Sequence, residues 1–155
     1  MAKKPDKQEL KIIEDGIKNF DVNGRVGENR HILIVTDYTV IVSNWRVSMH
    51  NKKTASRSTI QLTGYPSPNS SPMLRTAILT FVPDGESVRR PVAKSDGSGF
   101  YLFLHNSNLA TVLSMLSDHA TLYCWIGEFA DGHIYGDIHG STKLNTSPVP
   151  SQSRE

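Results

Sequence analysis

Seven basic side chains, Arg46, His50, Lys52, Lys53, Arg57, Arg89 and Arg90, and three aromatic ones, Tyr65, Tyr101 and Phe103, are the residues whose types could act together on a ligand. Cationic groups along a groove track a phosphate backbone by charge, and aromatic rings offer successive bases a face to stack on. The set predicts a binding module for single-stranded nucleic acid or another phosphate-bearing ligand, with no cofactor. The same basic surface would also suit an acidic protein partner. A second set, His133, Asp137 and His139, has the types that hold a metal, because Asp137 and His139 at i and i+2 point to one strand face with His133 further back. No second cluster supplies the remaining ligands, so no metal is expected. The motifs of nucleophilic, phosphate-cradling and zinc-dependent catalysis are all missing from the sequence. Cys124 stands among apolar neighbours in mid-strand, where a thiol packs and does not react. A non-enzymatic chain is expected.

Two short strings resemble known motifs. Ser98-Gly99-Phe100-Tyr101-Leu102-Phe103-Leu104 resembles the RNP1 strand of RNA-recognition and cold-shock domains, in which alternate aromatics stack on bases. Tyr101 stands where that strand carries a small residue, and no basic residue precedes Gly99. Gly136-Asp137-Ile138-His139-Gly140 resembles the Gly-Asp-x-His-Gly box of the calcineurin-like metallophosphoesterases, in which the Asp and His bind metal. That family continues through further Asp, Asn and His motifs over a large α/β domain. The likeness here covers five residues, and none of those roles is carried over.

Charge is distributed unevenly. Residues 25–94 carry ten Lys plus Arg against four acids, a local +6, whereas residues 95–155 carry two against six, a local −4. Such polarity suits an anion-binding face, or a self-assembly domain in which opposite ends meet. A homo-oligomer is therefore the alternative to the nucleic-acid reading. No run approaches the roughly 20 apolar residues of a membrane-spanning helix, and Met1 to Asp15 lacks the apolar stretch of a secretory signal. With a single cysteine no internal disulfide can form. A cytoplasmic protein without membrane contact is expected, and the sequons at Asn69 and Asn145 carry no weight.

The elements that must position these residues follow from periodicity. Leu10, Ile12, Ile13, Ile17 and Phe20 recur at helical spacing and predict an N-terminal helix over 8–20. After a Gly- and Asn-rich loop, strands are expected over 31–35 and 39–50, with Ile41, Trp45, Val47 and Met49 facing the core and Asn44, Arg46, Ser48 and His50 facing solvent. Residues 51–73 read as a long irregular loop with at most a short strand near Ile60 to Thr63. A three-strand meander should follow, Leu74 to Val82, Val88 to Lys94 and Phe100 to His105, its middle member interrupted by Pro91. Asn106 or Ser107 should cap a helix with the stripe Leu109, Val112, Leu113 and Leu116.

The last hairpin pairs Ala120 to Phe129 with His133 to His139 about Asp131-Gly132. A two-residue turn there sets Trp125 opposite Ile138 and makes Tyr123 and Trp125 core; this register explains the apolar pattern better. A three-residue loop from Ala130 would instead put Tyr123 and Trp125 on one face with Tyr135, Asp137 and His139. The expected whole is a single α+β domain over 8–140, predominantly antiparallel, curled into a small barrel or sandwich of possible OB-like kind. Residues 1–7 are expected to be flexible and 141–155 disordered.

Overall fold

The computed structural model describes residues 7, 8, 11, 26–46, 54–67, 70–118, 121–129 and 132–141. Of the expected N-terminal helix only Lys7, Gln8 and Lys11 fall within that set, in helical conformation; the rest of that helix, the 1–7 end apart from Lys7, and the tail beyond Ser141 lie outside the described residues.

Seven strands form one curled mixed sheet: β1 (Val26–Arg46), β2 (Thr54–Pro66), β3 (Thr76–Val82), β4 (Val92–Ala93), β5 (Gly99–His105), β6 (Thr121–Phe129) and β7 (Ile134–Ser141), in the order β4-β5-β3-β2-β1-β6-β7. All neighbouring pairs are antiparallel except β3 and β5, which run parallel. The expected meander is therefore corrected. Pro91 has no N–H for a ladder, so the middle segment shrinks to the two residues Val92 and Ala93 and moves outside β5, and the excursion through 83–98 lets β5 return parallel to β3.

Inside the curl lies the core, built from alternate residues of every long strand: Leu33, Ile60, Leu62, Ala77, Leu79, Phe81, Phe100, Leu102, Leu122, Cys124 and Ile126. Helix α1 (Leu109–Asp118) closes it with Val112 and Leu116 buried and Leu109 and Leu113 half-buried, the stripe its spacing predicts. The expected Asn or Ser side-chain cap is not used. Residues 106–108 form a 3₁₀ turn, and the Ser107 N–H is satisfied by Asp84 Oδ1 at 2.9 Å.

Strand β2 is far longer than the short strand expected. It pairs with β1 from Pro66 to Thr54, and its outer part meets no strand but β1 among the described residues, since β3 takes up only Thr59 to Thr63 and β6 leaves β1 at Val35. Residues 42–46 and 54–58 thus make a two-stranded ribbon continuing from the sheet, and residues 37–41 of β1 form a sheet edge that no other strand takes up among the described residues. Ile41, expected in the core, lies on that edge and is 45% exposed, beside Tyr38, Val40 and Val42. The side chains of Trp45, Val47 and Met49 lie outside the described residues.

The hairpin register also departs from expectation. Trp125 pairs with Asp137, Tyr123 with His139 and Cys124 with Ile138, which leaves the three residues 130–132 as the loop, with Gly132 at φ 85°. A three-residue loop ending in a left-handed glycine is the second common hairpin solution. Gly136 lies on the inward face, where a Cβ would lie 2.4 Å from Leu102 Cδ2 of β5 and 2.8 Å from Ile126 Cγ2. The position must be glycine because the two sides of the curl meet there. The shift exchanges the faces of β6, which is apolar on both, with Leu122, Cys124 and Ile126 turned to the main core and Tyr123 and Trp125 to a second cluster. Among the described residues no helix is long and apolar enough to cross a membrane.

Candidate functional site

Strand pairing fixes which side chains share the outer face of the sheet. Because β2, β3 and β5 are neighbours in register, Tyr101 lies beside Ile78 and Gln61, Phe103 beside Thr80 and Thr59, and His105 beside Val82, one register step from Thr80 toward Arg57. Three successive rows therefore carry Tyr101, Phe103 and Arg57 on one face. Both rings are half-buried and Arg57 is exposed. Lys94 sets its Nζ 5.6 Å from the centre of the Tyr101 ring, a cation–π arrangement that brings a further positive charge to the same rows.

Arg89 and Arg90 are exposed on the segment leading into β4, whose Val92 pairs with Tyr101. Their loop is tethered to the end of β5 rather than hanging free. Asp84 Oδ1 accepts the Ser107 N–H, His105 Nε2 bonds the Glu86 carbonyl at 2.8 Å, and a Pro83–Glu86 turn closes at 3.0 Å. These bonds tie residues 84–86 of the loop to the end of β5. On the other side of β4, the Lys94–Ser98 turn is fixed by Gly97 at φ 75° and by Asp96, which accepts both the amide and the hydroxyl of Ser98 and is held below the usual carboxylate range by them.

Of the remaining residues singled out from sequence, the two that are described are not gathered with these. Tyr65 shares the outer face but pairs with Ile34, two rows beyond Gln61. Arg46 sits at the far end of the ribbon, paired with Thr54. His50, Lys52 and Lys53 lie outside the described residues.

A second cluster on the outer face was visible only in the register set aside above. Tyr65, Ile34, Tyr123 and His139 form one row across β2, β1, β6 and β7, and Ile32, Trp125 and Asp137 form the next. Tyr123 and His139 stack with ring centres 5.0 Å apart and planes at 1°, Trp125 tilts against Tyr135 at 5.8 Å, and His139 Nδ1 bonds Asp137 Oδ1. Trp125 is fully buried and Tyr123 nearly so, together with Ile32 and Ile34. Burial therefore makes this a second, outer packing cluster and not an open platform. The expected role of Trp125 as packing holds, but on the face opposite the main core.

Burial, and next to it the charge of Asp137, pushes the Tyr123 phenol up to about 12. The same two causes raise the Cys124 thiol well above its usual value. Since the folded Tyr123 holds its proton above the ordinary value of 10.0, its contribution to stability is complete below pH 10 and is lost as pH rises toward 12, where the unfolded phenol ionises and the folded one does not. Urea midpoints measured from pH 9 to 12 should fall for the native chain more steeply than for Tyr123→Phe. Parallel curves would show that Tyr123 titrates as in an unfolded chain.

Among the described residues no three His, Cys, Asp or Glu side chains converge to hold a metal, so His133 does not complete a site with Asp137 and His139. Cys124 alternates to the inner face, away from the His139–Asp137 pair. Compared with known protein families, with curated proteins and with solved structures, the chain matches none.

Proposed function

We propose that the chain is a binding module for single-stranded nucleic acid, which lies across the outer face of β2, β3 and β5. The observation that carries this reading is the parallel pairing of β3 with β5, which sets Tyr101 and Phe103 in adjacent rows on the face that also bears Arg57, with Arg89 and Arg90 exposed on the segment leading into β4. Rings 6 to 7 Å apart along a strand match the spacing of splayed bases, and each stack contributes roughly 1–3 kcal/mol without regard to sequence. Four cations, Arg57, Arg89, Arg90 and Lys94, then meet the phosphates. The strand order, with the helix placed before the last hairpin, suits an OB-like barrel enlarged by β4 and β5. In such barrels the face of the second and third strands and the loop between the first two bind oligonucleotides. Here the sequence between β1 and β2 carries Lys52 and Lys53.

Four phosphate contacts to a single strand give a salt slope of about −2.8, so affinity for a labelled oligonucleotide should fall roughly fiftyfold between about 50 and 200 mM salt. Fluorescence anisotropy at the two ionic strengths reads this directly. Equal affinity at both, or no binding at the lower, removes the electrostatic groove on which the proposal rests.

A further inference from the structure

The open edge of β1 offers a surface of a different kind. Along residues 36–44, Thr-Asp-Tyr-Thr-Val-Ile-Val-Ser-Asn, Asp37 is the only charged side chain, and Tyr38, Val40, Ile41 and Val42 are all large, apolar and exposed, Val42 to 70%. One edge of this segment is taken by β2; on the other, among the described residues, β6 ends its pairing at Val35. The Tyr38 N–H donates to its neighbour Asp37 Oδ1 at 2.8 Å, which sets it on that open side. By the two-residue alternation of an antiparallel ladder, the amides of Val40 and Val42 face the open side as well. An exposed apolar edge with unfilled backbone donors and acceptors is a template for another strand.

We propose that this edge pairs with the same edge of a second copy of the chain, antiparallel, about a two-fold axis through Val40. A two-fold interface joins one patch to itself, so it needs no second sequence feature. The alternation restricts which registers satisfy the open amides, since outward residues must face outward residues, and 38, 40 and 42 are the outward ones. Centred on Val40, the pairing sets Tyr38 against the partner's Val42 and Val40 against the partner's Val40, aromatic and β-branched pairs of the most favourable kind. On the opposite face Thr39 meets the partner's Ile41 and Asp37 meets the partner's Ser43. Ser43 is flanked by Arg57, its β2 pairing partner. Each Asp37 therefore lies two strand spacings, about 10 Å, from the partner's Arg57 with only a serine between them. The like-charged Asp37 pair is kept at opposite ends of the interface. Apolar contact, backbone pairing and charge agree on one occupant and one register.

Because a residue on a two-fold axis faces its own copy, Val40 gives a test that a general loss of hydrophobicity cannot imitate. Sedimentation velocity of the full chain without nucleic acid, over a range of about 1 to 100 μM, should show a monomer–dimer equilibrium. Val40→Lys and Val40→Glu, each at an exposed site, should separately be monomeric, with dissociation constants raised at least tenfold. Mixed in equal amounts they should associate again, since lysine then faces glutamate. Val88→Lys, at a similarly exposed apolar residue off this edge, should leave the dimer intact, and circular dichroism should match for all variants. A monomeric native chain throughout the range, a dimer that survives Val40→Lys, or a mixture that stays monomeric would each overturn the proposal.

Discussion

Replacing Gly64 by Ala should lower the thermal midpoint by at least about 10 °C, corresponding to some 4 kcal/mol for a domain of this size. Gly64 pairs with Val35 at the point where β1 shifts register before Asp37. The bulge throws the β1 backbone across its neighbour, and a Cβ on Gly64 would sit 1.7 Å from the Ile34 carbonyl oxygen and 2.8 Å from its carbon. Backbone cannot step aside as the end of a flexible side chain can, so either the ladder between β1 and β2 opens or the bulge is lost. The Gly64 amide also donates to the Arg75 carbonyl at 3.0 Å, which fixes the residue from its second side. Gly85, in the exposed turn after β3, has nothing within 4 Å of the same added carbon, and Gly85→Ala should shift the midpoint by no more than about 2 °C. Equal midpoints for the two variants would mean that β1 and β2 are not bulged as described.

That bulge is where the sequence stopped being readable. Strand β1 was legible as two strands, 31–35 and 39–50, because apolar residues alternate on either side of Thr36 and Asp37; the irregularity between them is a shift within one strand, not a break. Strand β2 was read as mostly loop because its residues Thr54 to Ser58 and Gly64 to Pro66 carry no apolar alternation. A strand shows period two only when one face is buried, and Thr54 to Ser58 are flanked by no strand but β1 among the described residues. Ile41 was misplaced because it lies where β1 becomes a sheet edge. Helix α1, in contrast, buries one stripe against a finished core, and its spacing was sufficient to find it.

The hairpin shows a different limit. Asp131-Gly132 is the strongest local signal for a two-residue turn, but the observed register differs from it by one residue. Strand β6 is apolar on both faces, Leu122, Cys124 and Ile126 on one and Tyr123 and Trp125 on the other, so hydropathy could not say which face the core takes. The outer cluster of Tyr123, Trp125, Tyr135 and His139 was hidden for the same reason, because its grouping depends entirely on that one-residue shift. Within the candidate interface, the aromatic alternation of Tyr101 and Phe103 was visible along β5. That Arg57 joins them was not, since it requires β5 to lie beside β3 and not beyond a meander strand.

The largest functional effect is expected from reversing the charges that this topology gathers. Arg57, Arg89 and Arg90 are exposed, and neither guanidinium loop position supports the core, so Arg57→Glu, Arg89→Glu and Arg90→Glu together should fold normally. Each substitution removes a phosphate contact and adds a repulsion. Three of them should weaken oligonucleotide binding roughly a hundredfold at low salt and flatten the salt slope by about two, from about −2.8 to about −0.7. Reversing three exposed charges elsewhere would alter long-range attraction without changing the slope by that amount, so slope and affinity together locate the contact.

Anisotropy of a labelled single-stranded oligonucleotide titrated with the native chain and with this triple variant, each at several salt concentrations, is the most direct trial of the outer-face interface. The expected result is tight, steeply salt-sensitive binding that the variant loses along with most of its slope. A variant that binds as the native chain does, with an unchanged slope, would place nucleic acid elsewhere on the molecule or nowhere on it.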